Sequence, residues 1–357
     1  MIAINDFLYF PILKTTDAEL KAFEHLDDTV KDRIIPIFEL TRSRKSKKNM
    51  SRSINKRLET LESIVGERPF ILDLTTEKLL SNEQIEDILN NFSGGFPLWI
   101  KLIKEQKEKG LNVIPVIHYD EQNLEDVKKE ILELFKVSDI LAFRVPVNDA
   151  ILYLKTIISM GVSLDKIMLI LDAGYQEPKG HKDKSNLFVE TIEHLLKDFT
   201  NNMPQCITCT FSSFPDSVTK YGEDDKGKWP RYEKYTYRAL REKYNRISGL
   251  NLKYSDYSSV HPYRYDTTGG QWIPRIDFID NDYMLYHRLR REDGGYALVA
   301  QKVLDDPNYL PIQGLRVWGD NEIAVAGRGI PNGGAPSHWI SVRINLYITR
   351  TLIELIS

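Results

Sequence analysis

Cysteine is scarce in this chain of 357 residues: Cys206 and Cys209 stand three apart in one apolar run, CITCT, and there are no others. A zinc site or a redox pair needs partners, and no second Cys or Cys/His cluster completes one. On a strand, side chains three apart point to opposite faces, so the two read as buried thiols of a reducing, cytoplasmic compartment. Nowhere does the sequence reach the run of ~18 apolar residues that would span a membrane. Its opening, MIAINDFLYFPILK, has no basic segment ahead of an apolar core, so no signal peptide is expected. Net charge is nearly absent too: 48 Lys and Arg against 51 Asp and Glu leave -3, and no global field pulls the protein toward nucleic acid or membrane. No G-x-G-x-x-G or Walker-type loop follows any apolar run, which removes the main signal of a nucleotide-binding open sheet.

What the chain does have is rhythm. Short, β-branched apolar runs recur at 7–14, 33–40, 69–74, 112–119, 139–146, 166–174, 205–214 and 250–259. Near-continuous apolar runs are those of parallel strands covered on both faces. Helix-period segments intervene at 17–26, 53–65, 83–91, 124–135, 149–160, 186–199 and 232–244. Ser81-Asn82 and Ser185-Asn186 supply N-cap chemistry, and Gly110 and Gly161 stand where helices should stop. Eight alternations followed by a change of pattern predict an α/β fold, a (β/α)8 TIM-like barrel over residues 1–260. Residues 261–357 read as a C-terminal α+β extension packed on it. In that extension 275–279 and 283–289 form a hairpin pattern, 295–304 a short helix and 341–356 a closing helix. The stretch between the two helices is glycine-rich and predicts a tight loop near the barrel mouth, and 222–229, GEDDKGKW, predicts a mobile loop.

Barrels of this kind do their chemistry at the carboxyl ends of the strands. There the runs carry Lys14, Glu39, Asp73, His118, Arg144, Asp172, Ser212 with Ser213, and Asp256 with Tyr257. Glu39, Asp73, Asp172 and Asp256 lie inside their apolar runs, where a carboxylate costs several kcal/mol unless paired or ligated. Two readings follow: a structural ion-pair network around Arg144, or a site in which these four carboxylates are catalytic. In the second, Lys14, His118, Arg144, Ser212, Ser213 and Tyr257 bind the ligand, and Mg2+ is a cation that suits such oxygen donors. The segment 41–58 carries eight Lys and Arg and no acid. It follows the second strand, so its basic stretch 42–57 either clamps a phosphate-rich ligand or nucleic acid or is a solvated loop. Trp318, Asp320, Arg328, His338, Trp339 and Asn345 cluster late in the chain, where a histidine beside tryptophan reads as packing.

Several short motifs in a fixed order resemble the beta protein family, which takes its name from a phage protein. They are Tyr9-x-Pro11-Ile12-Leu13-Lys14, Pro36-Ile37-Phe38-Glu39-Leu40, Ser212-Ser213-Phe214-Pro215, Ser255-Asp256-Tyr257 and Trp318-Gly319-Asp320 followed by Ala326, Trp339 and Asn345. The resemblance spans nearly the whole chain. Two departures stand out: the family's Gly-Asp-Tyr is Ser255-Asp256-Tyr257 here, and its near-terminal Asn-His-His is Asn345-Leu346-Tyr347. Chemistry carried by those histidines in relatives would be lacking in this chain. The family supplies no reaction to carry over; its association with phages, prophages and defence loci implies a role in phage–host conflict. The sequence-level expectation is therefore a cytoplasmic barrel whose mouth binds an anionic, phosphate-bearing ligand, with metal-dependent hydrolysis as one outcome. The alternative is a non-catalytic sensor or adaptor that binds a protein partner.

Overall fold

The computed structural model describes residues 2–47, 49–177, 181–264 and 272–357, the side chains of 181–184 aside. Eight parallel strands pair in the order β4-β3-β2-β1-β9-β7-β6-β5. These are β1 (Tyr9–Lys14), β2 (Ile37–Leu40), β3 (Phe70–Leu74), β4 (Val113–Pro115), β5 (Leu141–Pro146), β6 (Ile167–Tyr175), β7 (Cys206–Ser212) and β9 (Leu252–Asp256). They match the eight apolar runs one for one. The sheet closes only narrowly. Between β4 and β5 the join is one parallel bridge, Val116 to Ala142, with the Ile117 N–H donating to the Ala142 carbonyl at 2.8 Å. The short β4 gives this seam its weakness.

Alternation along the strands sorts residues into two layers. Phe10, Ile12, Ile35, Ile37, Ile71, Ile114, Ala142, Met168, Ile170 and Cys206 fill the barrel interior. Tyr9, Leu13, Phe38, Leu72, Phe143, Leu169, Cys209 and Tyr254 face the helices. Cys206 and Cys209 thus lie in different layers, both buried and unpaired with each other, as the strand period requires. Each barrel strand is followed by helix, among them α1 (Asp17–Glu24), α2 (Asp28–Lys31), α3 (Asn55–Val65), α4 (Glu83–Asn90), α5 (Pro97–Glu108), α6 (Leu124–Leu134), α7 (Ala150–Ser159), α8 (His181–Asp198) and α9 (Tyr232–Tyr244). Asn82 caps α4 through the Ile85 N–H at 3.1 Å, and Gly110 and Gly161 follow their helices in the left-handed region. The expected cap at Ser185-Asn186 is displaced: α8 already runs from His181, so Ser185 sits within it.

The second half of the chain departs from a simple appendage. The expected hairpin is present as β10 (Arg275–Ile279) and β11 (Tyr283–Arg288), but β11 also pairs with β8 (Lys226–Pro230). The segment read as a mobile loop is therefore largely a strand, ordered because a distant partner takes its hydrogen bonds. The helix α10 (Gly295–Leu304) falls where expected. The glycine-rich stretch holds α11 (Trp318–Gly327), and α12 (Pro336–Ile356) closes the described chain. α12 packs on α1 and β1, and its Ile344, Ile348 and Leu352 join the outer barrel core. It fills the eighth outer helix position, which the chain reaches only after the inserted hairpin, α10 and α11. β8, from before residue 260, thus pairs with a strand beyond it, and α12, from beyond it, packs on the barrel. Among the described residues no helix is long and apolar enough to cross a membrane.

Candidate functional site

At the carboxyl end of the barrel the inward-facing positions turn from aliphatic to charged. Register puts Lys14 beside Glu39 and Glu39 beside Asp73, and Arg144 and Asp172 stand on the neighbouring pair of strands across the seam. Arg144 is the hub. Its Nη1 donates to Glu39 Oε2 at 3.1 Å and Asp73 Oδ2 at 2.8 Å, and its Nε to Asp172 Oδ2 at 2.9 Å. Nη2 donates to the Tyr257 hydroxyl at 2.9 Å and lies 2.8 Å from Asp172 Oδ2. Tyr257 in turn donates to Asp172 at 2.6 Å. The remaining oxygens are also satisfied: Glu39 accepts from Thr75, Asp73 from the Leu74 N–H and Asp172 from the Gly174 N–H. Burial works against Arg144's charge, yet Tyr257, Asp172, Asp73 and Glu39 outweigh it and hold the guanidinium protonated well beyond its usual range. Burial pushes the Asp73 carboxyl up, with Arg144 pulling the other way.

This network floors a cavity of about 870 Å³. Leu89, Phe96, Tyr119, Tyr153 and Tyr263 contribute apolar wall, with Tyr119 stacked on Tyr153 at 3.9 Å between ring centroids. Among the described lining residues Glu39, Asp73, Glu77, Asp120, Glu121 and Asp172 are acidic, and Arg144 alone is a Lys or Arg. His118 also lines it. Its Nδ1 lies 2.8 Å from Glu130 Oε1, its backbone N–H donates to the same carboxylate, and Phe96 and Trp99 pack on the ring. Glu130 is fully buried on α6, and burial raises its pKa while His118 lowers it. Sequence reading passed over Glu130, although it lies on the same helix face as Val127, Ile131 and Leu134, where a charge signals a buried partner.

The other expected site residues are elsewhere. Asp256 shares its face with Tyr254, so it points out of the barrel toward α12, accepting from Tyr9 and Tyr347. Tyr257, the next residue, is the one that enters the mouth. Ser213 likewise faces outward and donates to Glu233, and Ser212 donates to the Val260 carbonyl. Lys14 is buried with its Nζ on the Pro262 carbonyl. Thus Glu39, Asp73, His118, Arg144, Asp172 and Tyr257 come together around the cavity, while Lys14, Ser212, Ser213 and Asp256 do not line it. Among the described residues no three His, Cys, Asp or Glu side chains surround a metal-sized position. Glu39, Asp73 and Asp172 converge on the guanidinium of Arg144.

The glycine-rich loop does not reach the mouth, because the loop is tied to its own helices: Trp339 donates to the Gly333 carbonyl and Asn332 to Glu322. His338 sits there against Trp318 and Trp339, packed as expected. The basic segment is also more ordered than a solvated loop. Ser43 and Arg52 pair through their backbones, Arg42 donates to the Leu79 carbonyl at 2.6 Å, and Arg57 pairs with Asp17. Arg44, Lys45 and Lys47 remain in solvent, and Lys48 lies outside the described residues.

The model of the beta protein family matches residues 9–353. Protein beta of Enterobacteria phage P4 is 26% identical over 361 aligned residues, covering 98% of this chain and 94% of the phage protein. The family model thus spans nearly the whole chain, the strands and helices of both networks included, and the chain belongs to the beta protein family.

Proposed function

We propose that this relative of a phage protein is a ligand-binding barrel whose mouth takes a small organic cation, such as an amine or guanidine. The carrying observation is the charge of the floor. Three carboxylates surround one guanidinium whose N–H groups are already committed, so the guanidinium has no donor left to grip a phosphate. Among the described residues the rim adds Glu77, Asp120 and Glu121 and no further Lys or Arg. An anion entering this cavity meets uncompensated negative charge at low dielectric, whereas a cation is drawn in. The stacked Tyr119 and Tyr153 offer ring faces that favour cations further. On this reading an anionic ligand belongs instead on the exposed Arg44, Lys45 and Lys47. The phage relationship supports placing ligand recognition in phage–host conflict, with the barrel as sensor.

Isothermal titration of the full chain with two matched panels tests this reading: small amines and guanidines against phosphate monoesters and nucleotides. Amines should bind, raise the melting temperature, and lose affinity several-fold in the rim variant Glu77→Gln/Glu121→Gln. Binding of the phosphates to the mouth, with the amines inert, would overturn it.

A further inference from the structure

Outside the barrel wall, between β9, α9 and α12, two carboxyl groups meet at one hydroxyl. Tyr347 Oη lies 2.7 Å from Asp256 Oδ2 and 2.9 Å from Glu233 Oε1. The other oxygens of both acids already have donors. Asp256 Oδ1 takes the Tyr9 hydroxyl at 2.5 Å and the Ser258 N–H at 2.8 Å. Glu233 Oε2 takes the Ser213 hydroxyl at 2.5 Å and, at 3.3 Å, the Ser213 N–H. A tyrosine has one hydroxyl hydrogen, so Tyr347 can donate to one carboxylate only. The second contact joins two oxygens with no hydrogen between them unless the acid brings its own.

We propose that Asp256 and Glu233 hold one proton between them through Tyr347, one acid donating into the Tyr347 oxygen while Tyr347 donates to the other carboxylate. A charge count over every element packed there agrees. From α9 and its N-cap come Arg231, Glu233 and Lys234; from α12 come Tyr347, Thr351 and Glu354; from β1 and β9 come Tyr9, Tyr254 and Asp256. Arg231 spends its Nη1 on Glu354 at 2.8 Å and on the Asn281 carbonyl, and its Nη2 on Thr351 at 2.7 Å. Lys234 joins Glu354 at 2.9 Å, and its longer contact is to Asp282, which Arg238 also pairs at the surface. Three carboxyl groups, Asp256 and Glu233 buried and Glu354 partly so, thus face two buried cations, and one retained proton makes the cluster neutral. Asp256 is 1% exposed and Arg231 0%, where an unbalanced charge is most costly. Burial first, and for Glu233 the neighbouring Asp256 second, raises both acids' pKa values.

The pair is a proton-held clasp. It fastens α12, the eighth outer helix, to the barrel and to α9, and losing the proton sets two negative charges across one hydroxyl.

Infrared spectra of the full chain at neutral pH, compared with Glu233→Gln and Asp256→Asn, test the assignment. The wild type should show a protonated-carboxyl stretch that one or both variants lose, and proton uptake on folding should fall by one in that variant. The unfolding constant would then change tenfold less per pH unit above the acid range, and the variant would be the more stable protein at alkaline pH. If neither amide variant folds, Tyr347→Phe keeps the packed ring, and removing the bridging hydroxyl should shift the band. A carboxyl stretch identical in all folded variants, or unchanged proton uptake, would overturn the proposal.

Discussion

Arg144 answers three acids at once, and its removal shows what the floor of the mouth is made of. In Arg144→Met the three carboxylates keep their backbone and hydroxyl donors but lose the cation that all three share. The expected cost is about 3–5 kcal/mol, the scale of a buried pair broken from one side. The penalty should depend on pH. Acids stranded without a cation have raised folded pKa values, and a raised group stabilises below its unfolded pKa and loses that stabilisation as pH climbs through the folded one. Urea unfolding at pH 5 and pH 8 should therefore show the deficit of Arg144→Met widening at pH 8; a deficit equal at both would refute the charge argument. Asp172→Asn should cost less, about 1–3 kcal/mol, because Arg144 keeps Glu39 and Asp73.

Between α11 and α12 the contact is set by a missing side chain. A Cβ on Gly319 would lie 2.6 Å from Leu346 Cγ and 3.0 Å from the Val342 carbonyl. Gly319→Ala should destabilise by about 1–3 kcal/mol through overpacking, and Gly319→Ala/Leu346→Ala should recover part of it in thermal unfolding. A neutral Gly319→Ala would mean that the two helices can part freely. This helix was hidden in the sequence because its glycines look like loop residues, and only a partner helix explains them. The strand β8 was hidden likewise: GEDDKGKW has turn composition, and its partner β11 lies more than fifty residues away. The eight barrel strands were legible because two-sided burial writes itself into every residue of a run. The inward carboxylates were legible by the same period, with Asp256 misplaced by one residue's phase. Glu130, Glu233 and Tyr347 escaped because a helix face shows that a polar residue is buried but not what it meets. In the basic segment, exchanging the exposed Arg44, Lys45 and Lys47 for Gln should weaken heparin retention and flatten its salt dependence; an unchanged salt slope would leave those residues as solvated surface.

Taken whole, the molecule buries acids more than it exposes strained ones. Burial raises Glu19, to about 7, and also raises Asp73, Glu130, Glu233, Asp256 and Asp320. At these acids folding takes up protons, so their contribution to stability falls as pH rises from the ordinary carboxyl range through neutrality, while His25, His261 and His338, lowered first by burial, contribute in the opposite sense. At the acid end the order reverses, since Asp27 and Asp216, held low first by hydrogen bonds from Thr29 and Lys220, lose their contribution as they protonate. Relative to Glu19→Gln, the wild type should lose stability between the ordinary carboxyl value of 4.5 and about 7, a difference of roughly 3 kcal/mol at pH 8. A difference between wild type and Glu19→Gln in thermal unfolding that is the same at pH 5 and pH 8 would contradict this.

A hoop riveted at a single point opens at the rivet. The join between β4 and β5 is such a point, and the cavity lies over it, lined by Val116, Ile117 and His118 on one side and by Arg144, Val145 and Pro146 on the other. Thermal breathing of the sheet should concentrate there, with the Ile117 amide exchanging for deuterium ahead of amides in β6 and β7. A guest seated across the gap touches both lips and so clamps the hoop shut. Occupancy of the mouth and integrity of the circle become one equilibrium read at two places.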